Sequence, residues 1–272
     1  MMMLIHRRFR RWALNGAAAV ALAYILTPLT FVTWLAFFRQ EIPSFPPEGY
    51  SLRWFAAILD QPKFVSGFVM SFQVGVLATF IGLALGVPAA LGVVRYSFPL
   101  RAPVASLLLM PLIVPGVVLG TAMYVFQVSA ENGLDVDVLG TFYALVAGHV
   151  VIVIPWVVRL VTASLAGVDR SIEEAAQNLG ADAWTTFWRI TLPAIRPGIV
   201  AGALFGFVTS FGNLELSLFL VGPGRTTLPI VVLQYLEWKI DPTIAAVSVV
   251  QILLIGIAML ITDRYVKLTR VV

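Results

Sequence analysis

The chain has no cysteine, two histidines and little charge: Asp, Glu, Lys and Arg together make up only 12% of its 272 residues. Without cysteine there is no disulfide framework, no thiol nucleophile and no cysteine-ligated metal. The histidines, His6 and His149, lie far apart, and one sits at the terminus. No metal cluster and no catalytic triad is expected, and no catalytic residue is nominated. There is no GxxxxGK[ST] phosphate loop, so ATP hydrolysis is not expected from this chain. Low-complexity tracts, evident internal repeats and a soluble domain are also missing. A soluble protein carries about 25% charged residues, so the scarcity of charge by itself excludes that class.

What fills the chain instead is apolar. Hydrophobic residues make up 60% of it, and the mean hydropathy is +0.93. A hydrocarbon core about 30 Å thick is crossed by about 20 apolar residues in a helix. Six segments meet that requirement, roughly 12–38, 64–93, 103–128, 139–164, 195–221 and 242–263. They are long runs rather than short alternating strands, so an all-α integral membrane protein with six transmembrane helices is predicted. The net charge of +4 is no nucleic-acid signature, because the basic residues are spread over the ends of apolar segments.

Those ends give an orientation. Thirteen of the 18 Lys and Arg residues fall on one side: Arg7, Arg8, Arg10, Arg11, Arg95, Arg101, Arg159, Arg170, Arg189, Arg196, Arg264, Lys267 and Arg270. Arg39, Arg53, Lys63, Arg225 and Lys239 fall on the other. The excess marks the cytoplasmic side and places both termini there. The acidic loop with Glu131, Asp135 and Asp137 then lies outside. Arg7 to Arg11 followed by an apolar run also fits the start of a signal peptide. The run from Trp12 to Phe38, however, exceeds the roughly 7–15 residues of a signal core and is read as a first membrane helix.

The first external loop, about 39–63, holds Pro46-Pro47, then Ser51 as an N-cap and Leu52, Phe55 and Ile58 at helical spacing beside Trp54. This predicts an interfacial helix. Pro88, Pro111, Pro115 and Pro155 fall inside apolar spans and predict kinks. The pair Pro111/Pro115, near Gly116 and Gly120, predicts a bent or locally unwound third span. Such backbone is tolerated at membrane depth where it faces protein or water.

The most informative stretch is polar. Residues 174–193 read EAAQNLGADAWTTFWRITLP, between two apolar spans on the basic side. Ser171 to Glu174 fits a capping box. Ile172, Ala175, Ala176 and Leu179 form a stripe at i, i+3, i+4, i+7, and Gly180 stands where a helix ends on a left-handed residue. Asp182 caps a second short helix holding Trp184, Phe187 and Trp188. Leu192, Pro193 and Pro197 then turn the chain into the fifth span. From the residues alone, this is either an amphipathic hairpin on the membrane surface or a docking handle for a soluble partner.

The spacing Glu-Ala-Ala, three residues, Gly, nine residues, Ile-x-Leu-Pro resembles the cytoplasmic signature of the membrane subunits of binding-protein-dependent ABC importers of the type I fold. The resemblance covers roughly residues 65–262. It implies that the hairpin at about 171–189 forms coupling helices, with Glu174, Ala175, Ala176, Gly180, Leu192 and Pro193 coupling the chain to an ATPase. It implies the domains 1–63 (first helix and external loop), 64–264 (permease domain) and 265–272 (cytoplasmic tail). The implied partners are a sister permease subunit, an ATPase dimer that binds the ATP and Mg, and a periplasmic or lipid-anchored binding protein, all at a bacterial inner membrane. No cofactor is expected in this chain itself. SFPPEGYSLRWF and SFGNLELSLFLVGPGRTTLP further resemble the spermidine/putrescine subfamily, although Gly212 stands where that subfamily often has an acidic residue. Related permeases serve other small amines, amino-acid derivatives, opines and phosphonates. The alternative class is a stand-alone secondary transporter or channel, which usually shows inverted repeats.

Glu215 is the only carboxylate deep in an apolar span, read as part of the fifth helix, with Asn213 nearby on a different face. A charge there costs about 2.5–3.5 kcal/mol, so Glu215 should face a pathway or a protein partner. Asn213 and Glu215 are the candidate substrate-pathway residues. His149 is expected to be packed and hydrogen-bonded rather than a ligand.

Overall fold

The computed structural model describes residues 2–265. The tail beyond, and the side chains of residues 1–11, 13 and 265, lie outside the described residues, and with them Arg7, Arg8, Arg10, Arg11, Lys267 and Arg270 of the orientation argument. In chain order the helices are α1 (Met2–Leu35), α2 (Arg53–Leu59), α3 (Pro62–Arg95), α4 (Arg101–Leu109), α5 (Gly116–Leu134), α6 (Phe142–Ala166) and α7 (Arg170–Asn178). They continue with α8 (Ala183–Thr186), α9 (Leu192–Phe211), α10 (Glu215–Leu220), α11 (Leu228–Trp238) and α12 (Thr243–Tyr265). A 3₁₀ turn, Met110–Leu112, follows α4, and a π turn, Phe187–Thr191, joins α8 to α9. Among the described residues, five helices are long and apolar enough to cross a membrane, and six spans result if one bent pair is counted as one.

That pair is the predicted broken third span. Residues Arg101–Leu112 and Gly116–Leu134 meet at 106°. Pro111 and Pro115 bracket the break, where each missing N–H and ring clash prevents the helix from continuing. By contrast, α3 and α6 run through Pro88 and Pro155 as single helices.

The chain forms two compact units. One comprises residues 1–61 and 235–253. Its core holds Ala36, Trp54, Ala245, Ala246 and Val249. Trp54 is buried, and its indole Nε1–H donates to the Phe38 carbonyl at 2.6 Å. The predicted external-loop helix is present as α2, but its N-cap is Leu52 rather than Ser51, whose hydroxyl sits one residue earlier and accepts from the Arg53 N–H at 3.1 Å. Its largest side chain is anchored in protein, however, while Leu52 is exposed.

The second unit comprises residues 62–234 and 254–272. At its centre α6 packs against both α3 and α9, with Val153, Val157 and Val161 fully buried. Glycines on the flanking helices permit this closeness. A Cβ on Gly82 of α3 or Gly206 of α9 would come within 2.5 and 2.7 Å of Val153, and one on Gly86 within 2.8 Å of Val157. A Cβ on Gly198 would sit 2.6 Å from the Leu160 carbonyl oxygen. Small residues four apart let helix backbones approach in lipid, where apolar surface gives no drive of its own.

Candidate functional site

The polar hairpin folds from local signals. Asp169 caps α7, its carboxylate accepting from the Ser171 N–H at 2.9 Å. That bond holds the Asp169 carboxyl below its ordinary range. The predicted capping box therefore does not form. The cap falls two residues before Ser171, because an ionised carboxylate is a stronger acceptor for the helix N-terminus than a hydroxyl. Glu174, released from the box, pairs with Arg170 at 3.2 Å on the exposed surface.

At the other end α7 closes as predicted. Gly180 adopts φ +93; the Ala181 N–H donates to the Ala176 carbonyl at 3.0 Å, and the Gly180 N–H to that of Gln177 at 2.9 Å. This paired 6→1 and 5→2 arrangement satisfies the last carbonyls and needs a left-handed residue. Asp182 caps α8 through the Thr185 N–H at 2.8 Å. Bonds from Thr185 hold the Asp182 carboxyl below its ordinary range.

The faces of α7 are inverted relative to a helix on a protein surface. Leu179 is 90% exposed and Ile172 54% exposed; Ala175 is exposed and Ala176 half-buried. The apolar stripe points outward. Glu173 points inward instead. Its Oε1 lies 3.1 Å from Arg95 Nη2 and accepts from the Thr191 hydroxyl at 2.8 Å. Arg95 Nη2 also donates to the Val168 carbonyl at 3.4 Å. Arg95, Glu173 and Thr191, with Tyr96, Arg170, Glu174 and Gln177, line a cleft of about 340 Å³. Arg95, Glu173 and Thr191 were not legible as a site, since 78 residues separate the two charged partners.

The second limb departs from expectation at Leu192 and Pro193. These do not redirect the chain: Thr191 and Leu192 both hold helical dihedrals, and Ala183–Phe211 forms one 29-residue span. The π turn just before Pro193 widens the backbone where the proline ring would crowd the Arg189 carbonyl, so the helix is reset rather than stopped. Leu192 and Pro193 thus stand at the entry to α9, and not on the outward face of α7. On α8 and the π turn, the rings of Trp184 and Trp188 meet edge to face at 5.5 Å, and Trp184 is largely exposed.

The expected fifth helix is also interrupted. α9 ends at Phe211 and α10 begins at Glu215, so Glu215 is not inside the fifth helix. The Asn213 side chain accepts from the Leu216 N–H at 2.9 Å, and its backbone carbonyl accepts from the Ser217 hydroxyl at 2.7 Å. The break brings together two residues expected on different faces. Asn213 and Glu215 line one cavity of about 540 Å³ with Trp156, Thr209, Ile152 and Gly116. Among the described residues lining it, Glu215 carries the only charge. α10 seats closely on α5, with Glu215 against Gly116 and Phe219 against Gly120.

His149 is packed and bonded, as expected. It is 1% exposed, with Nδ1 2.7 Å from the Ser210 hydroxyl and Nε2 3.1 Å from that of Ser217. Ser217 gives its proton to Asn213, so it accepts from His149 Nε2–H, and Ser210 donates to Nδ1; the network assigns the tautomer. One imidazole thereby bridges α9 and α10 across their break and satisfies polar groups that lipid cannot.

Residues 82–270 match the family of binding-protein-dependent transport system inner membrane components. The chain belongs to this family. It is 30% identical over 210 residues to the putrescine transport system permease protein PotI of Escherichia coli (strain K12), covering 77% of this chain and 75% of that one. It is 31% identical to the molybdenum transport system permease protein ModB of the same strain, covering 78% and 97%. The solved structure of a bacterial alginate ABC transporter superposes with a TM-score of 0.71 over 94% of this chain and 96% of that one, at 18% identity. At that identity the likeness establishes the fold. The protein is an inner-membrane permease subunit of a binding-protein-dependent ABC importer, and it is not itself an enzyme. The stand-alone transporter or channel considered from the sequence is set aside by this membership.

Proposed function

We propose that this permease forms half of a translocation pore for a small organic cation, a polyamine or a related amine or amino-acid derivative. An external binding protein, periplasmic or lipid-anchored, delivers the solute, and a sister permease supplies the other half. α7 is the docking element for an ATPase dimer, which binds the ATP and Mg. The observation that carries this reading is the inverted α7: Leu179 at its end is exposed, while Glu173 is half-buried. An apolar stripe held out from a rigidly capped helix is a surface awaiting a partner. Glu174, Ala175, Ala176 and Gly180 form or shape that surface, and Leu192 and Pro193 join it to α9. The positive-inside excess supports placing α7 and both termini in the cytoplasm. Residues 64–264 are taken as the permease domain, preceded by the 1–63 helix and loop and followed by the 265–272 tail.

The cavity of Asn213 and Glu215 supports the cationic substrate. A carboxylate beside the aromatic Trp156 favours an ammonium group, and a lone carboxylate disfavours an oxyanion. PotI and PotC are named for putrescine and spermidine/putrescine, whereas ModB is named for molybdenum. The charge of the cavity therefore weighs toward the former. The acid that Gly212 lacks is supplied three residues on, in a cavity that Gly212 also lines.

Two measurements test the reading. A mild-detergent pull-down of the tagged chain from its native membrane should recover an ATPase and a second permease. Recovery of the chain alone would sink it. In cells holding the assembled transporter, Glu215→Gln should lower the saturating rate of putrescine uptake about tenfold, equivalent to about 1.4 kcal/mol. Unchanged putrescine uptake would remove Glu215 from the pathway, and molybdate uptake by the wild type would overturn the substrate class.

A further inference from the structure

We propose that Glu173, held between Arg95 and Thr191, is the positioning residue that transmits movement of α7 to the membrane helices, separately from the surface that docks the ATPase. The proposal rests on the docking reading of α7.

The placement of the three residues carries the argument. Arg95 is the last residue of α3, and Thr191 closes the π turn that opens α9. One carboxylate on a nine-residue helix therefore reaches the ends of two helices that pack on α6. Both of its contacts are direct and largely shielded, with the Arg95 and Glu173 side chains 15% and 13% exposed. The same helix carries a second ion pair for comparison. Arg170 and Glu174 are 64% and 61% exposed and pair with each other within α7. An exposed pair of that kind contributes little, whereas a shielded one between elements keeps its strength and fixes their relative position.

The joint is also incompletely made. Both bonds to Glu173 fall on Oε1, and the buried Arg95 Nε has no hydrogen-bond partner. A guanidinium and a carboxylate favour two parallel bonds. Here one guanidinium donor is left over beside a carboxylate engaged through one oxygen. A two-bond pairing would give Nε and Nη2 one carboxylate oxygen each. An unsatisfied buried donor is costly, so the cluster favours such a pairing whenever α7 moves to allow it.

The test uses the complete transporter, with its ATPase, sister permease and binding protein, in proteoliposomes, with putrescine as the transported probe. Putrescine moved per ATP hydrolysed is compared among wild type, Glu173→Gln, Arg95→Lys and Thr191→Val. Pull-down of the ATPase is measured in parallel. Each variant should retain the ATPase, since the outward stripe is untouched. The transport-to-hydrolysis ratio should fall about tenfold in Glu173→Gln and Arg95→Lys, and about threefold in Thr191→Val. The double reversal Arg95→Glu with Glu173→Arg should recover part of the ratio lost in either single reversal; a merely structural role would lower accumulation of the protein without changing the ratio. An unchanged ratio in Glu173→Gln overturns the proposal. If that variant does not accumulate, an unchanged ratio in Thr191→Val overturns it equally. A wild-type chain that retains no ATPase overturns the docking reading and this proposal together, so the two failures are distinguishable.

Discussion

Leu179→Lys is expected to abolish retention of the ATPase and, with it, uptake, while leaving the permease as stable as the wild type. Leu179 is 90% exposed, so its replacement removes no packing within this chain. Substitutions at such positions change stability by about 0.5 kcal/mol or less. A lysine at the C-terminal end of α7 is also favoured by the helix dipole. A partner cleft closing over the stripe would instead have to bury an ammonium group where it now takes a leucine. An apolar anchor at the centre of an interface is worth about 2 kcal/mol or more, equivalent to a loss of about thirtyfold in affinity. Co-purification of the ATPase and thermal unfolding in detergent, measured on the same preparation, check the prediction. Full retention of the ATPase would show that α7 does not dock through this face, and a large fall in the unfolding temperature would mean that the face is structural.

Gly198→Leu is expected to prevent the permease from folding. The obstruction at Gly198 is backbone: a Cβ would lie 2.6 Å from the Leu160 carbonyl oxygen and 3.1 Å from the Val161 Cα. Neither can move without displacing α6, whose other face is packed on α3. Overpacking a site that can relax costs about 1–3 kcal/mol; this one has no flexible side chain to yield. The control is Gly92→Leu, in α3, where a Cβ meets nothing within 4 Å. Size-exclusion profiles of the tagged variants in detergent should show a sharp peak for Gly92→Leu and aggregate or no protein for Gly198→Leu. A monodisperse Gly198→Leu would mean that α6 and α9 separate more easily than their contact suggests.

The features that were legible in the sequence depend on local rules. Apolar length gave the spans, because lipid thickness fixes it. Pro111 and Pro115 gave the broken third span, because a proline acts on its own turn. Gly180 and Asp182 fell where helix ends need a left-handed residue and an acceptor. What was not legible depends on competition or distance. The spacing of Ser171 and Glu174 pointed to a capping box, but Asp169, two residues earlier, competes for the same helix end and takes it. Glu173 and Glu174 are adjacent and identical, yet one turns inward, because its partner Arg95 lies across the fold. The interruption at residues 212–214 hid inside an apolar run, and so did the meeting of Asn213 with Glu215. Gly82 and Gly86 of α3, and Gly198, Gly202 and Gly206 of α9, lie at intervals of four, but the α6 residues that receive them are known only from the packing.

The continuity of the second hairpin limb with α9 makes the two a single lever. Its 29 residues, from Ala183 to Phe211, span about 43 Å at 1.5 Å per residue. A tilt of about 10° at the Ala183 end would sweep the far end through about 7.5 Å, comparable to the width of a small solute. That far end is where the helix breaks and where Asn213 and Glu215 stand.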